Sequence, residues 1–108
     1  MTTKTYIGKR YEDNNVVVVT EDGKKAYKLK HHVHHSPDGF NWGFDGSGPA
    51  ELSRCILWDY FDAEPTAAAY QDFKKILAAI DVNSWSIDSG LIGLWLDDWL
   101  TRNTEHLQ

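Results

Sequence analysis

The feature that most constrains the fold is a change of hydrophobic period across one loop, HSPDGFNWGFDGSGP, from His35 to Pro49. Before it, apolar residues alternate as they do in strands. After it, they recur every three or four residues, as they do on one face of a helix. A chain with both patterns must lay a sheet face against helix faces, so the expected class is α+β. At 108 residues there is enough chain for one core, and shorter pieces would need disulfides or metal to fold alone.

The first third reads as an antiparallel meander of three strands within residues 4–34. TYIGKRY and VVVVT flank the turn-forming EDNN, and Asp22-Gly23 is a favoured hairpin dipeptide because both residues tolerate positive φ. In the third strand Tyr27 and Leu29 should face the core, with Lys28 and Lys30 in water. The uninterrupted Val16 to Val19 suggests a middle strand covered on both faces.

Three helices are expected to cover this sheet, over residues 49–62, 65–80 and 89–102. Ser47 or Gly48 can cap the first, with Pro49 at its first position and Glu51 favourably placed near the positive end of its dipole. Its apolar stripe is Leu52, Ile56, Leu57, Tyr60 and Phe61, with Arg54, Trp58 and Asp59 elsewhere on the circumference. The second helix carries Ala67, Tyr70, Phe73, Leu77 and Ile80 at threes and fours. After a break at Asp81 to Ser84, Trp85 and Ile87 suit an extended segment. Asp88 or Ser89 then caps the third helix, whose stripe is Ile92, Trp95, Leu96, Trp99 and Leu100. The tail TRNTEHLQ should fray.

The loop combines Gly39, Gly43, Gly46 and Gly48 with Phe40, Trp42 and Phe44. Such aromatic surface is costly to leave in water, so the loop should be packed, with Phe40 and Trp42 the better core candidates. The run HSPDGFNWGFDGSGPAELSRCIL, from His35 to Leu57, resembles the HSPxGFxWGYxGSGPAxL signature of an uncharacterised family of short bacterial and phage domains. Phe44 stands where that family usually has Tyr, and Ser53 and Cys55 where it has small alanines. The resemblance implies a fold and a loop, not an activity. Its phage and mobile-element distribution points towards an accessory role against a host protein.

Charge is segregated along the chain. Met1 to Lys30 holds seven Lys/Arg against four acids, whereas His31 to Gln108 holds four against twelve. A basic face could meet a phosphate backbone, but the acidic remainder would repel it, so nucleic acid is a poor partner except through the N-terminal strands. A single cysteine, Cys55, the absence of an apolar leader and the lack of any bilayer-length apolar run favour the cytoplasm and disfavour the membrane. No pattern distinguishes monomer from homodimer.

Four constellations carry residue types with chemistry. His31, His32, His34 and His35 offer imidazoles. On a strand His31 and His35 would point to one side and His32 and His34 to the other, so at most two share a metal, with Asp38 or a distant carboxylate needed beside His31 and His35 to complete the set. No cofactor is expected beyond an adventitious divalent ion there. Gly46-Ser47-Gly48-Pro49 resembles an anion-binding helix start, yet no Walker lysine follows and Pro49 removes an amide, which favours capping. His35, Ser36 and Asp38 are too close in sequence to nest as a hydrolytic triad. Asp59 and Asp62, with Asp97 and Asp98, read better as acidic surface than as paired catalytic carboxylates.

The expected function is therefore a small non-catalytic protein-binding domain, an accessory protein that inhibits a bacterial defence in anti-CRISPR-like fashion or another host protein. Its expected contact residues are Asn41, Trp42, Phe44, Asp45, Trp58, Asp59 and Asp62. The alternative is a metal-dependent or nucleic-acid-associated small enzyme built on His31 to His35 and the glycine loop.

Overall fold

A computed structural model describes residues 3–104. Four strands form one antiparallel sheet: β1 (Lys4–Arg10), β2 (Asn15–Glu21), β3 (Lys25–Lys28) and β4 (Ser84–Asp88), in the order β3-β2-β1-β4. Three helices complete the α+β fold, α1 (Ser47–Phe61), α2 (Ala67–Ala78) and α3 (Ser89–Thr104). The sheet thus has one strand more than the expected three. The extra strand is the segment of Trp85 and Ile87, which returns after two helices and pairs Gly8 with Trp85 and Tyr6 with Ile87. Alternation within Ser84–Asp88 is local, but its partner lies across most of the chain, and only tertiary packing creates that pairing.

The meander forms where the turn chemistry requires. Asp22 and Gly23 take φ of 53° and 71°, the two positive values that match a tight hairpin to the twist of its strands. The third strand is shorter than expected, however. β3 ends at Lys28, and although the Leu29 amide still bonds the Val17 carbonyl, residues 29–46 contain no helix or strand. Tyr27 is exposed rather than buried, while Leu29 does enter the core.

Coverage of the sheet is one-sided. Tyr6, Val17, Val19, Trp85 and Ile87 are buried, whereas Ile7, Val16 and Val18 on the opposite face stay partly exposed. The expectation that β2 is covered on both faces is corrected by this packing, since all the core contacts gather on the Tyr6 side. α1 is instead the element enclosed all round, with every residue from Gly48 to Leu57 buried. α2 packs on it through Tyr70, Phe73 and Leu77, with the Ser53 hydroxyl donating to the Tyr70 carbonyl at 2.6 Å. The Thr66 hydroxyl accepts from the Ala69 amide to cap α2, and the Asp88 carboxylate does the same for Leu91 at the start of α3. α3 buries Ile92 and Trp95, half-buries Leu96 and Trp99, and is helical through Thr104, two residues past its expected end; residues 105–108 of the tail expected to fray lie outside the described residues. Among the described residues no helix is long and apolar enough to cross a membrane.

One glycine makes the β1–β4 pairing possible. A Cβ added at Gly8 would sit 2.3 Å from the Trp85 ring, which lies flat across that backbone position. Gly8→Val should therefore destabilise the fold by about 1–3 kcal/mol, as overpacking does, and lower the urea midpoint. An unchanged midpoint would show that Trp85 can vacate the site freely.

Candidate functional site

α1 presents a polar stripe beneath the strap formed by residues 29–41. Glu51, Arg54, Cys55, Trp58 and Asp59 recur at three- and four-residue spacing, so they share one face. Each is engaged by the strap, the sheet or the α1–α2 turn. The Glu51 carboxylate has no solvent exposure at all, being 0 % accessible. It accepts the backbone amides of His34 at 2.9 Å, His35 at 3.0 Å and Ser36 at 3.1 Å, and the Nε2–H of His31 at 2.9 Å. Burial alone would raise its pKa. Those donors outweigh burial and hold it at about 2, so the group is a structural anion.

The rest of the stripe is similarly committed. Arg54 donates to the His32 carbonyl at 2.9 Å and to Glu64 at 3.0 Å, and its guanidinium lies 4.9 Å from the centre of the Trp58 ring. His32 stacks on Trp58 with ring centres 3.6 Å apart. Burial pushes the Cys55 thiol up to about 11, and its sulfur accepts the His32 amide. Asp59 receives Lys4 at 3.0 Å, the Tyr6 hydroxyl at 2.6 Å and the Tyr27 hydroxyl at 2.7 Å. Burial, then the hydrogen bond to Asp59, raises the pKa of both tyrosines, so neither is a ready base.

The loop middle is anchored elsewhere. Trp42 is 1 % exposed, meets Trp85 edge-on at 5.4 Å, and donates its indole N–H to the Val82 carbonyl at 2.9 Å. Arg10 lies 4.7 Å above the Trp42 ring and donates to Asn41 at 2.8 Å, the Trp42 carbonyl at 3.2 Å and Asn83 at 3.2 Å. Gly48 lets the loop fold this tightly, since a Cβ there would fall 2.5 Å from that of Asn41. α1 begins at Ser47, and no side chain caps it.

Between this anchored loop and the β1–β2 turn lies a cleft of about 550 Å³. Tyr11, Glu12 and Asp13 line one rim, and Asp38, Asn41 and Phe44 the other. Tyr11 and Phe44 keep 56 % and 46 % of their surface exposed. Trp58, Asp59 and Asp62 line a separate depression of about 340 Å³ beside Lys4, Tyr27 and His32.

The expected contact residues therefore do not form one surface. Asn41 and Phe44 reach the cleft. Trp42 is core, so its placement among contact residues is corrected by its burial. Asp45 pairs with Lys74 at 2.7 Å on the α2 side. Trp58 is held between His32 and Arg54, Asp59 is taken up by its three donors, and Asp62 is the left-handed residue that ends α1. The strand that would align His31 with His35 is absent. Their Nε2 atoms go to Glu51 and to the Tyr70 hydroxyl, while Asp38 sits at the cleft. Among the described residues no three His, Cys, Asp or Glu side chains converge as metal ligands.

Sequence reasoning placed Glu51 only as a dipole partner and missed Tyr11, Glu12 and Asp13 as a rim. The available signal was the run GPAELSRCIL, in which Glu51 and Arg54 are the only charges and the remaining residues leave the helix no solvated side.

Glu51 organises the strap, so Glu51→Gln should cost about 3 kcal/mol, because an amide offers one neutral acceptor oxygen to donors that now share two anionic ones. Denaturant unfolding measures this, and a loss under 1 kcal/mol would refute the central role. Acid should act in two stages. His35, lowered by burial and then by neighbouring His34, and His32, lowered by burial and then by Lys30 and Arg54, favour their neutral forms in the folded state. Their contribution is complete above the ordinary histidine value near 6.5 and is lost as pH falls through their depressed values. Glu51 follows, its contribution disappearing between its ordinary 4.5 and about 2. A stability profile flat from pH 7 to 3 would contradict both.

No curated protein and no solved structure matches the chain. A family model does match residues 6–100, from β1 to near the end of α3, and the chain accordingly belongs to DUF6166, a family of unknown function.

Proposed function

We propose that this chain is a small non-catalytic protein-binding domain that uses the cleft between the β1–β2 turn and the Ser36–Gly48 loop as its contact surface. One contrast carries the reading. Groups with the chemistry of catalysis, Glu51, Asp59, Cys55 and the Nε2 atoms of His31 and His35, are tied to partners inside the chain. The cleft instead exposes Tyr11 and Phe44 among polar side chains. Committed polar groups of this kind rigidify a scaffold, whereas exposed aromatics on a rigid scaffold are the residues that most often carry binding energy.

The loop rim is well prepared for such a role. Trp42 and Arg10 hold its backbone from beneath, so Phe44 is presented with little conformational freedom left to lose on binding. The turn rim is closed by the bond from the Tyr11 amide to the Asn14 carbonyl at 2.8 Å. The partner in this reading is a bacterial protein, and the biological role is that of a phage or mobile-element accessory protein that blocks it.

The test is competitive capture from bacterial lysate. Tagged protein should retain a partner that excess untagged protein displaces. The double substitution Tyr11→Ser with Phe44→Ser should cut retention at least tenfold while shifting the melting temperature by no more than about 2 °C, as exposed substitutions do. Absence of any displaceable protein, or equal retention by the variant, would end the proposal.

A further inference from the structure

The cleft carries a charge imbalance that identifies what should enter it. Three carboxylates, Glu12 and Asp13 on the turn and Asp38 on the loop, face it from opposite rims. All three are exposed, and none makes a hydrogen bond or ion pair through its side chain among the described residues. Several acids elsewhere are paired, Asp45 with Lys74, Asp59 with Lys4, Glu64 with Arg54, and Asp72 and Asp98 with Arg102, and others such as Glu21, Asp81 and Asp97 stand free among the described residues, but Glu12, Asp13 and Asp38 share one cleft. The cleft has one cation of its own, Arg10, which bonds only neutral groups, Asn41, Asn83, the Trp42 carbonyl and the Trp42 ring, so it offsets one of the three negative charges and leaves the other two. Its negative potential is therefore left for a ligand to neutralise.

The walls narrow the choice further. Tyr11 and Phe44 offer exposed aromatic surface beside the carboxylates, and Phe40 is half-buried at the floor against His31. A guanidinium is the group that fits both kinds of neighbour, because it is planar, stacks on rings and forms paired hydrogen bonds to carboxylates. The cleft volume of about 550 Å³ accommodates one such side chain together with flanking backbone. Asn14, the Ser36 hydroxyl, the Asn15 Oδ1 and the Asn41 Nδ2 supply donors and acceptors that an extended backbone needs. A nucleic acid does not fit, since its phosphates would face the same three carboxylates.

We infer that the partner enters this cleft with an extended segment bearing an arginine, its guanidinium held by Glu12, Asp13 and Asp38 between the Tyr11 and Phe44 rings. The inference rests on the protein-binding reading and specifies its partner's chemistry. Such a contact should be electrostatically steered and weakened by salt.

The experiment is a titration of the full chain, labelled with ¹⁵N, using the capped hexapeptide Gly-Ser-Ser-Arg-Ser-Gly and its Glu counterpart. The Arg peptide should give saturable shifts at the amides of residues 11–15, 36 and 38–44, with affinity at least tenfold above that of the Glu peptide. The triple variant Glu12→Gln, Asp13→Asn, Asp38→Asn should weaken the Arg peptide at least fivefold and leave the melting temperature in place. Equal response to both peptides, no saturable response, or an unaffected triple variant would overturn the inference. So would shifts at these amides with magnesium or calcium but not with the Arg peptide, which would make the carboxylates a cation site. The two proposals fail separately: a captured partner that depends on Tyr11 and Phe44 but not on the three carboxylates would remove the arginine inference and keep the protein-binding reading.

Discussion

A single buried carboxylate underlies much of the architecture. Beyond the Leu29 amide, the strap has no ladder or helix to satisfy its backbone, and a segment of that length lying on a core would leave amides without partners. Glu51 supplies the acceptors. Two anionic oxygens take three consecutive amides and a histidine N–H, which converts the strap from a loop over the surface into a lid on α1. Because the lid is in place, α1 can bury its whole circumference from Gly48 to Leu57. The carboxylate tolerates zero exposure because its desolvation is offset by charge-assisted bonds.

Two further nodes carry that order outwards. Asp59, eight residues along the same face, gathers Lys4 and Tyr6 of β1 and Tyr27 of β3, tying the helix to a central and an edge strand of the sheet. At the other end, Trp42 inserts between Arg10 and Trp85, so the loop is fastened to the strand that the sheet acquires last. The cleft follows from these attachments. It is the space left between a turn closed by its own backbone bond and a loop pinned from below, and rigid anchoring on both sides gives it a defined shape.

Much of the fold was legible locally. The Asp22-Gly23 turn, the first two strands and the three helices follow from period and turn chemistry, with ends displaced by a few residues. The candidate site was much less legible. Local alternation suggested that the strand runs on to His34, but the Leu29 amide is the last to bond β2, and further on the amides of His34 to Ser36 go to Glu51 instead. The histidines accordingly lose the alternation on which a shared metal side depended. Trp58 lies off the apolar stripe, as its position indicates, yet it is His32 of the distant strap that stacks on it, beside Arg54 one turn earlier in α1. Tyr11 and Phe44 are far apart in sequence, and nothing in either segment indicates that they frame one opening.

The sequence by itself determined the α+β class, the hairpin, the helical periods and the packed character of the aromatic loop, because each depends on near neighbours and on the cost of exposing apolar surface. Only the tertiary structure decided the fourth strand, the burial of Glu51, the commitment of the histidines and the opposition of Glu12 and Asp13 to Asp38. Each of those is a pairing between distant segments, and its energy depends on desolvation and on hydrogen-bond partners that exist only once the strap has closed on α1.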